Sequence, residues 1–197
     1  MNQITHVSTV RRLVVGIIAM VLVFGGLIVT SPSALAEETT CRGAIGAKSL
    51  DNVRVPSGGA CTLNGTSVKG TVKVERGGSL VANGVKVIGN IQAEGARSVN
   101  VSGGSSINGS IQIDAGGAFA LNGNWVGGNI QVKSNSGSSS ITNNGVGADI
   151  HVFSHRSGVR ISGNSVDGNL QCKENSPAPT GGGNVVQGNK EDQCRQL

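Results

Sequence analysis

Apolar residues return along this chain at a spacing far longer than a helical turn and too regular for a structureless coil. Val53, Val72, Ile91, Ile111, Ile130, Ile150 and Leu170 succeed one another at steps of 19 or 20 residues. Two positions after each comes a second small or apolar residue, in order Val55, Val74, Ala93, Ile113, Val132, Val152 and Cys172. The position between them is polar in every unit: Arg54, Lys73, Gln92, Gln112, Gln131, His151 or Gln171. That alternation predicts a short strand with one buried face. A second alternation follows at Cys61 and Leu63, Leu80 and Ala82, Val99 and Val101, Phe119 and Leu121, Ile141 alone, then Val159 and Ile161. A third apolar position recurs at Val68, Val87, Ile107, Val126, Val146, Val166 and Val186. Gly-Gly, Asn-Gly and Ser-Gly pairs separate the pieces, and such residues tolerate the positive φ of tight turns. Where a unit has 20 residues the additional one falls in a turn, after Val101 in the unit from Ile91 and before the second strand in the units from Ile130 and Ile150.

One such unit holds too few Val and Ile side chains to make a core. Stacking equivalent units at ~4.8 Å pairs each backbone edge with the next and joins the apolar rows into one core. The expected fold is all-β, a right-handed parallel β-helix (β-solenoid) of about seven three-faced turns and roughly 30 Å in length. A disordered Gly/Ser/Asn stalk would share the composition but would not keep three apolar rows in register. The left-handed hexapeptide helix needs a six-residue period, which steps of 19 and 20 break. Residues 51–172 carry the repeats, residues 37–50 are expected to form an N-terminal cap, and residues 173–197 a C-terminal loop and cap. Pro177 and Pro179 interrupt strand pairing in that last segment.

The start of the chain breaks the pattern. Arg11 and Arg12 precede an uncharged apolar run from Leu13 to Thr30, and Ala34 and Ala36 stand as an A-x-A cleavage signal. Residues 1–36 therefore read as a signal peptide cut after Ala36. The run also approaches the ~18 residues that span a bilayer, so a retained N-terminal anchor is the alternative. After cleavage no membrane contact is expected, and the location is secreted or cell surface.

Export sets the chemistry of the four cysteines, Cys41, Cys61, Cys172 and Cys194, because an even count in an exported chain points to disulfides. Four cysteines allow three pairings. Proximity favours 41 with 61 and 172 with 194, each pair about one turn apart, so that each bond staples a terminal coil to its neighbour. Tetrahedral zinc would call for clustered C-x-x-C spacing, which is absent. The net charge of +5 loses Arg11 and Arg12 with the leader, the remaining cations are scattered singly, and aromatics make up 2% of the chain. Nucleic acid would find neither a basic patch nor stacking platforms here.

Two groupings carry candidate surface chemistry. Glu75, Glu94 and Asp114 each occupy the third position after their anchors, which stacks them one turn, ~5 Å, apart. Stacked carboxylates can bind a cation or flank a glycosidic bond. Arg76 and Lys133 adjoin or continue that row, and no aromatic platform accompanies it, so a solvated charge ladder is the plainer reading. Asp149, His151 and His155, with Arg156 beside them, could hold a metal or exchange protons. His151 takes the outward strand position where other units carry Gln, and His155 falls at the next corner. Gln92, Gln112, Gln131 and Gln171 read as an amide ladder along the axis, with Asn90, Asn129, Asn169, Asn189 and Asn144, Asn164, Asn184 as turn and ladder residues. No cofactor is expected: a glycine-rich phosphate loop needs a following helix, and none is readable.

The units "GTVKVERGGSLVANGVKVIGNI" and "GSIQIDAGGAFALNGNWVGGNI" resemble those of bactofilin-type polymer-forming proteins, a bacterial family whose short β-helices assemble end to end. The resemblance spans residues 51–172 at the level of pattern, and implies a right-handed β-helix and a scaffold role without catalysis. The export leader and the cysteine pairs are features the resemblance does not supply. Together these readings predict a non-enzymatic structural module of the bacterial envelope or matrix, whose partners are further copies of itself or envelope polysaccharide. The reading of a different class is a module that binds or cleaves carbohydrate through the acidic row or the His151 region.

Overall fold

The structure, a computed structural model, describes residues 37–197; the expected leader, residues 1–36, lies outside the described residues. The described chain is a coil of three parallel sheets, one of nine strands and two of eight, with each strand hydrogen-bonded to its counterparts one turn earlier and later. A representative turn runs Val72–Val74, Ser79–Asn83, Lys86–Val87, and its strands pair in register with Ile91–Glu94, Ser98–Ser102 and Ser106–Ile107 of the next. This is the β-solenoid that the repeat predicts. Among the described residues no helix is long and apolar enough to cross a membrane.

The three apolar rows form one continuous core. Every residue of the first-sheet rows, from Val53 and Val55 to Leu170 and Cys172, is at most 5% exposed. The intervening polar positions reach solvent wholly or in part. The lone Ile141 of the second sheet is explained by its neighbour: Ser139 stands in the apolar row opposite Val159, 8% exposed. Its hydroxyl accepts from the Phe119 N–H at 3.1 Å and donates to the Gly137 carbonyl at 2.7 Å, so a polar atom is tolerated in the row. The additional residue after Val101 is absorbed by Gly103 and Gly104, at φ 70° and 71°, which leaves the flanking strands in register.

The coil is longer than the repeat alone suggests, about eight turns where about seven are expected, because both presumed caps contribute strands. Residues 37–50 supply Glu38–Thr40, Gly43–Ile45 and Ser49–Leu50, one for each sheet. At the other end the expected loop contains the strand Thr180–Gly182, paired with Arg160–Ser162. Gly181 makes that pairing possible: a Cβ there would lie 2.0 Å from the Ile161 carbonyl oxygen, and its φ is 134°. The prolines lie just before this strand.

Side-chain rungs parallel to the axis satisfy the corners. At the start of the first-sheet strands Asn52, Thr71, Asn90, Ser110, Asn129, Asp149 and Asn169 each accept the backbone N–H of the equivalent residue one coil on, at 2.7 to 3.5 Å. Before the third sheet Asn124, Asn144, Asn164 and Asn184 form a buried ladder. The backbone N–H and the Nδ2 of one Asn both donate to the Oδ1 of the next, as from Asn144 to Asn164 at 3.0 Å each. Each Nδ2 also reaches back to a carbonyl of the preceding coil, as from Asn144 to Leu121 at 2.9 Å. Such groups cost little when paired and much when orphaned. The ladder's first Oδ1, on Asn124, has no partner; the donor would be the Ser105 N–H, at the corner altered by Gly103 and Gly104.

The disulfides are Cys41–Cys61 and Cys172–Cys194, with Cα separations of 5.5 and 5.1 Å, each joining a terminal coil to its neighbour. The two ends differ. At the N-terminal end the edge strands carry Ile45 and Leu50 half-buried. At the C-terminal end Lys190 and Asp192 occupy the register positions of Leu170 and Cys172, and the chain turns back to bury Cys194 and, at 8% exposure, Leu197. Charged residues at core positions of an edge strand oppose further pairing.

Candidate functional site

The outward face of the first sheet follows directly from the strand alternation. One row of side chains runs Arg54, Lys73, Gln92, Gln112, Gln131, His151, Gln171, Glu191, in register coil by coil. A second outward row brings Glu94 opposite Asp114 and Asp114 opposite Lys133. Between and around these rows lies an open groove of about 690 Å³ whose lining includes Lys73, Glu75, Gln92, Glu94, Gln112, Asp114, Gln131 and Lys133. The Gln92 Nε2 donates to the Gln112 Oε1 at 3.1 Å, one link of the expected amide ladder.

Of the acidic row, Glu94 and Asp114 stand in register one coil apart, Glu75 follows the strand Val72–Val74, and the three do different work. Glu75 is tied down: its Oε2 accepts from the Ser57 N–H at 3.0 Å and from the Ser57 hydroxyl at 3.2 Å, and its Oε1 lies 3.4 Å from Arg54 Nη1. The Ser57 N–H, helped by Arg54, holds this carboxyl below the usual carboxylate range. Arg54 in turn bonds Glu38 Oε1 at 2.8 Å and the Thr40 hydroxyl at 3.0 Å, so this cluster clasps the first coils together. Glu94 and Asp114 remain exposed on the groove.

The second grouping is dispersed. Asp149 is a rung: its Oδ1 accepts the Asn169 N–H at 2.7 Å, while its Oδ2 is 4.0 Å from His151 Nε2. His151 stacks on Phe153 two residues along the strand, with centroids 5.3 Å apart. His155 is not a surface residue, contrary to the expectation from sequence. It is 1% exposed, its Nε2 lies 3.0 Å from the Gly158 carbonyl oxygen, and its ring meets Phe119 edge-on at 5.6 Å. The physical reason is its corner row, which continues through the buried Asn135 and Asn175; the short Ser139 in the coil between leaves room for the imidazole to reach Phe119. Burial pushes the His155 imidazole below its ordinary value, against its hydrogen bond to the Gly158 carbonyl, and Nδ1 has no partner. Arg156, next to His155, is exposed.

Among the described residues no group of three or more His, Cys, Asp or Glu side chains is placed to hold a metal ion. Sequence reasoning passes over one exposed residue, Trp125, which stands 51% exposed on the third sheet at a position where the adjacent coils carry Ser106 and Gly145. The signal lies in that column: a single aromatic at an outward position between the small residues Ser106 and Gly145. Comparison with protein-family models, with curated proteins and with solved structures finds no match for this chain.

Proposed function

We propose that this protein is an exported, non-enzymatic β-solenoid rod of a bacterial envelope or extracellular matrix, working as a scaffold through its outer faces. The observation that carries the proposal is where the reactive-looking groups are spent. Asp149 is a rung, Glu75 is a clasp and His155 is core, so half of the six candidate residues serve the coil itself, and Glu94, Asp114 and His151 remain on the outer face without a metal-holding cluster among the described residues. The two disulfides support an oxidising compartment, in keeping with the leader. The charged, turned-back C-terminal end favours a rod of fixed length over one that grows head to tail. The likeness of the repeat to bactofilin-type scaffolds points the same way in role, though not in open-ended assembly.

The groove over Gln92, Gln112, Glu94 and Asp114 supports a second reading, in which a polysaccharide chain lies along the axis and is bound or cut there. Light scattering of the oxidised, processed protein across a concentration series, before and after incubation with envelope polysaccharide, separates these readings. The scaffold reading expects a bounded molar mass and polysaccharide of unchanged length. Mass that grows without limit would overturn the fixed-length rod. Shortened polysaccharide, abolished by Glu94→Gln or Asp114→Asn, would replace the scaffold by an enzyme.

A further inference from the structure

The third sheet carries a platform that the groove and the ladders leave unexplained. Its outward positions hold side chains on most coils, but the coil after Trp125 presents Gly145, and two residues beyond Trp125 and Gly145 stand Gly127 and Gly147. A Cβ at Gly127 would meet Trp125 Cη2 at 2.8 Å, and one at Gly145 would lie 3.5 Å from Cδ1. The indole therefore lies down over bare backbone, and the strip beside it is bare as well. Two adjacent strand spacings make this surface roughly 10 Å across. Ser106, partly exposed, and Asn108, exposed, border it on one side, and the exposed Ser165 and Asp167 on the other.

We infer that this surface is a binding site for a neutral glycan, with one sugar ring stacked on Trp125 and its hydroxyls bonded by the flanking serines and asparagine. The negatively polarised face of an indole attracts the weakly positive C–H bonds of a pyranose. The ring's register neighbours, Ser106 and Gly145, carry no charge, and the carboxylate at the far edge of the strip, Asp167, disfavours an anionic ligand. A protein partner fits poorly. The other large exposed apolar residues on this sheet, Ile88 at 49% and Val185 at 68%, lie two and three coils away, so no continuous apolar patch forms an interface core. The site does not depend on how rods join at their ends, nor on the acidic groove of the first sheet.

The chain has a single tryptophan, so its emission reports on this site alone. The oxidised, processed protein would be titrated with cellohexaose and with chitohexaose, with anionic polygalacturonate as the contrast, and calorimetry would follow the variants. The expected result is a saturable emission shift with a neutral hexasaccharide. Affinity falls about tenfold or more in Trp125→Ala, partly returns in Trp125→Phe, and is also lost in Gly145→Lys, which fills the bare strip at a position where a Cβ makes only ordinary contact. Unchanged melting and molar mass in each variant keep a folding defect from mimicking the result. Three outcomes would overturn the inference: no saturable shift with either neutral probe, binding that survives Trp125→Ala intact, or an emission shift that tracks protein concentration without sugar and is accompanied by a doubled mass, which would give the face to a second copy.

Discussion

Replacing Asn144 by Ala tests whether the buried ladder, rather than the apolar rows alone, holds this coil together. The side chain is 1% exposed. Its Oδ1 accepts the Asn124 backbone N–H and the Asn124 Nδ2, both at 3.0 Å, and its Nδ2 donates to the Leu121 carbonyl at 2.9 Å and to Asn164 Oδ1 at 3.0 Å. Truncation at Cβ strands two buried donors, the Asn124 N–H and one hydrogen of its amide. The other amide hydrogen still has the Val101 carbonyl, at 2.8 Å. An orphaned buried polar group costs about 1–3 kcal/mol, so two predict roughly 2–6 kcal/mol, with the lower end reached if water enters the space left behind. For a domain of this size about 1 kcal/mol moves the melting temperature by roughly 2–4 °C, which sets the expected drop at roughly 4–24 °C. Thermal unfolding of oxidised Asn144→Ala, beside Asn64→Ala at an exposed strand end as control, reads the effect. A drop under about 3 °C would refute the reasoning and return the corner's stability to apolar packing.

Two further outcomes follow from the same structure. Because burial lowers the His155 value, the unfolded chain takes up the proton first as pH falls; the stability held by the neutral imidazole is fully present above about pH 6.5, its ordinary value, and is lost as pH falls through the lowered one. Denaturant midpoints at pH 7.5 and 5 are expected to differ in the wild type and to differ less in His155→Asn, which restores the residue type of its own row; equal pH sensitivity in the two would assign the effect elsewhere. Removing the Cys172–Cys194 bond as the double serine variant frees a loop of 22 residues and is expected to cost roughly 3 kcal/mol, with hydrogen exchange rising first in Lys190–Asp192; exchange rising equally in the central coils would show that the bond does more than close the end.

The parts of this fold legible in sequence are those where hydrophobicity and burial coincide. Val, Ile and Leu at period two mark the three rows because a strand face packed on the core has no other economical filling. The terminal coils are less legible, since a coil with a neighbour on one side only can place Thr39, Gly43, Gly181, Lys190 or Asp192 where inner coils need apolar residues. The buried corners were hidden for a different reason. Asn135, His155 and Asn175 are polar by type; the two asparagine side chains find partners one coil away and His155 bonds the Gly158 carbonyl three residues on, pairings visible in the structure and not in the composition. By type His155 therefore reads as surface chemistry, while Trp125, apolar by type, stands in the open.

That inversion bears on where function lies. In a solenoid of this kind each coil satisfies its neighbours' backbone, and the inward rows and the rungs are constrained by that task. The outward positions are not: along the first sheet they pass from Arg54 and Lys73 through Gln92, Gln112, Gln131, His151 and Gln171 to Glu191 with no change in the fold beneath. A residue that is costly to expose and unnecessary to the coil therefore says more about partners than any polar cluster does. Trp125 is such a residue. Its column holds serine or glycine on either side without loss of register, so the coil itself has no need of an indole there, and the glycines that let the ring lie flat are the second half of the same surface.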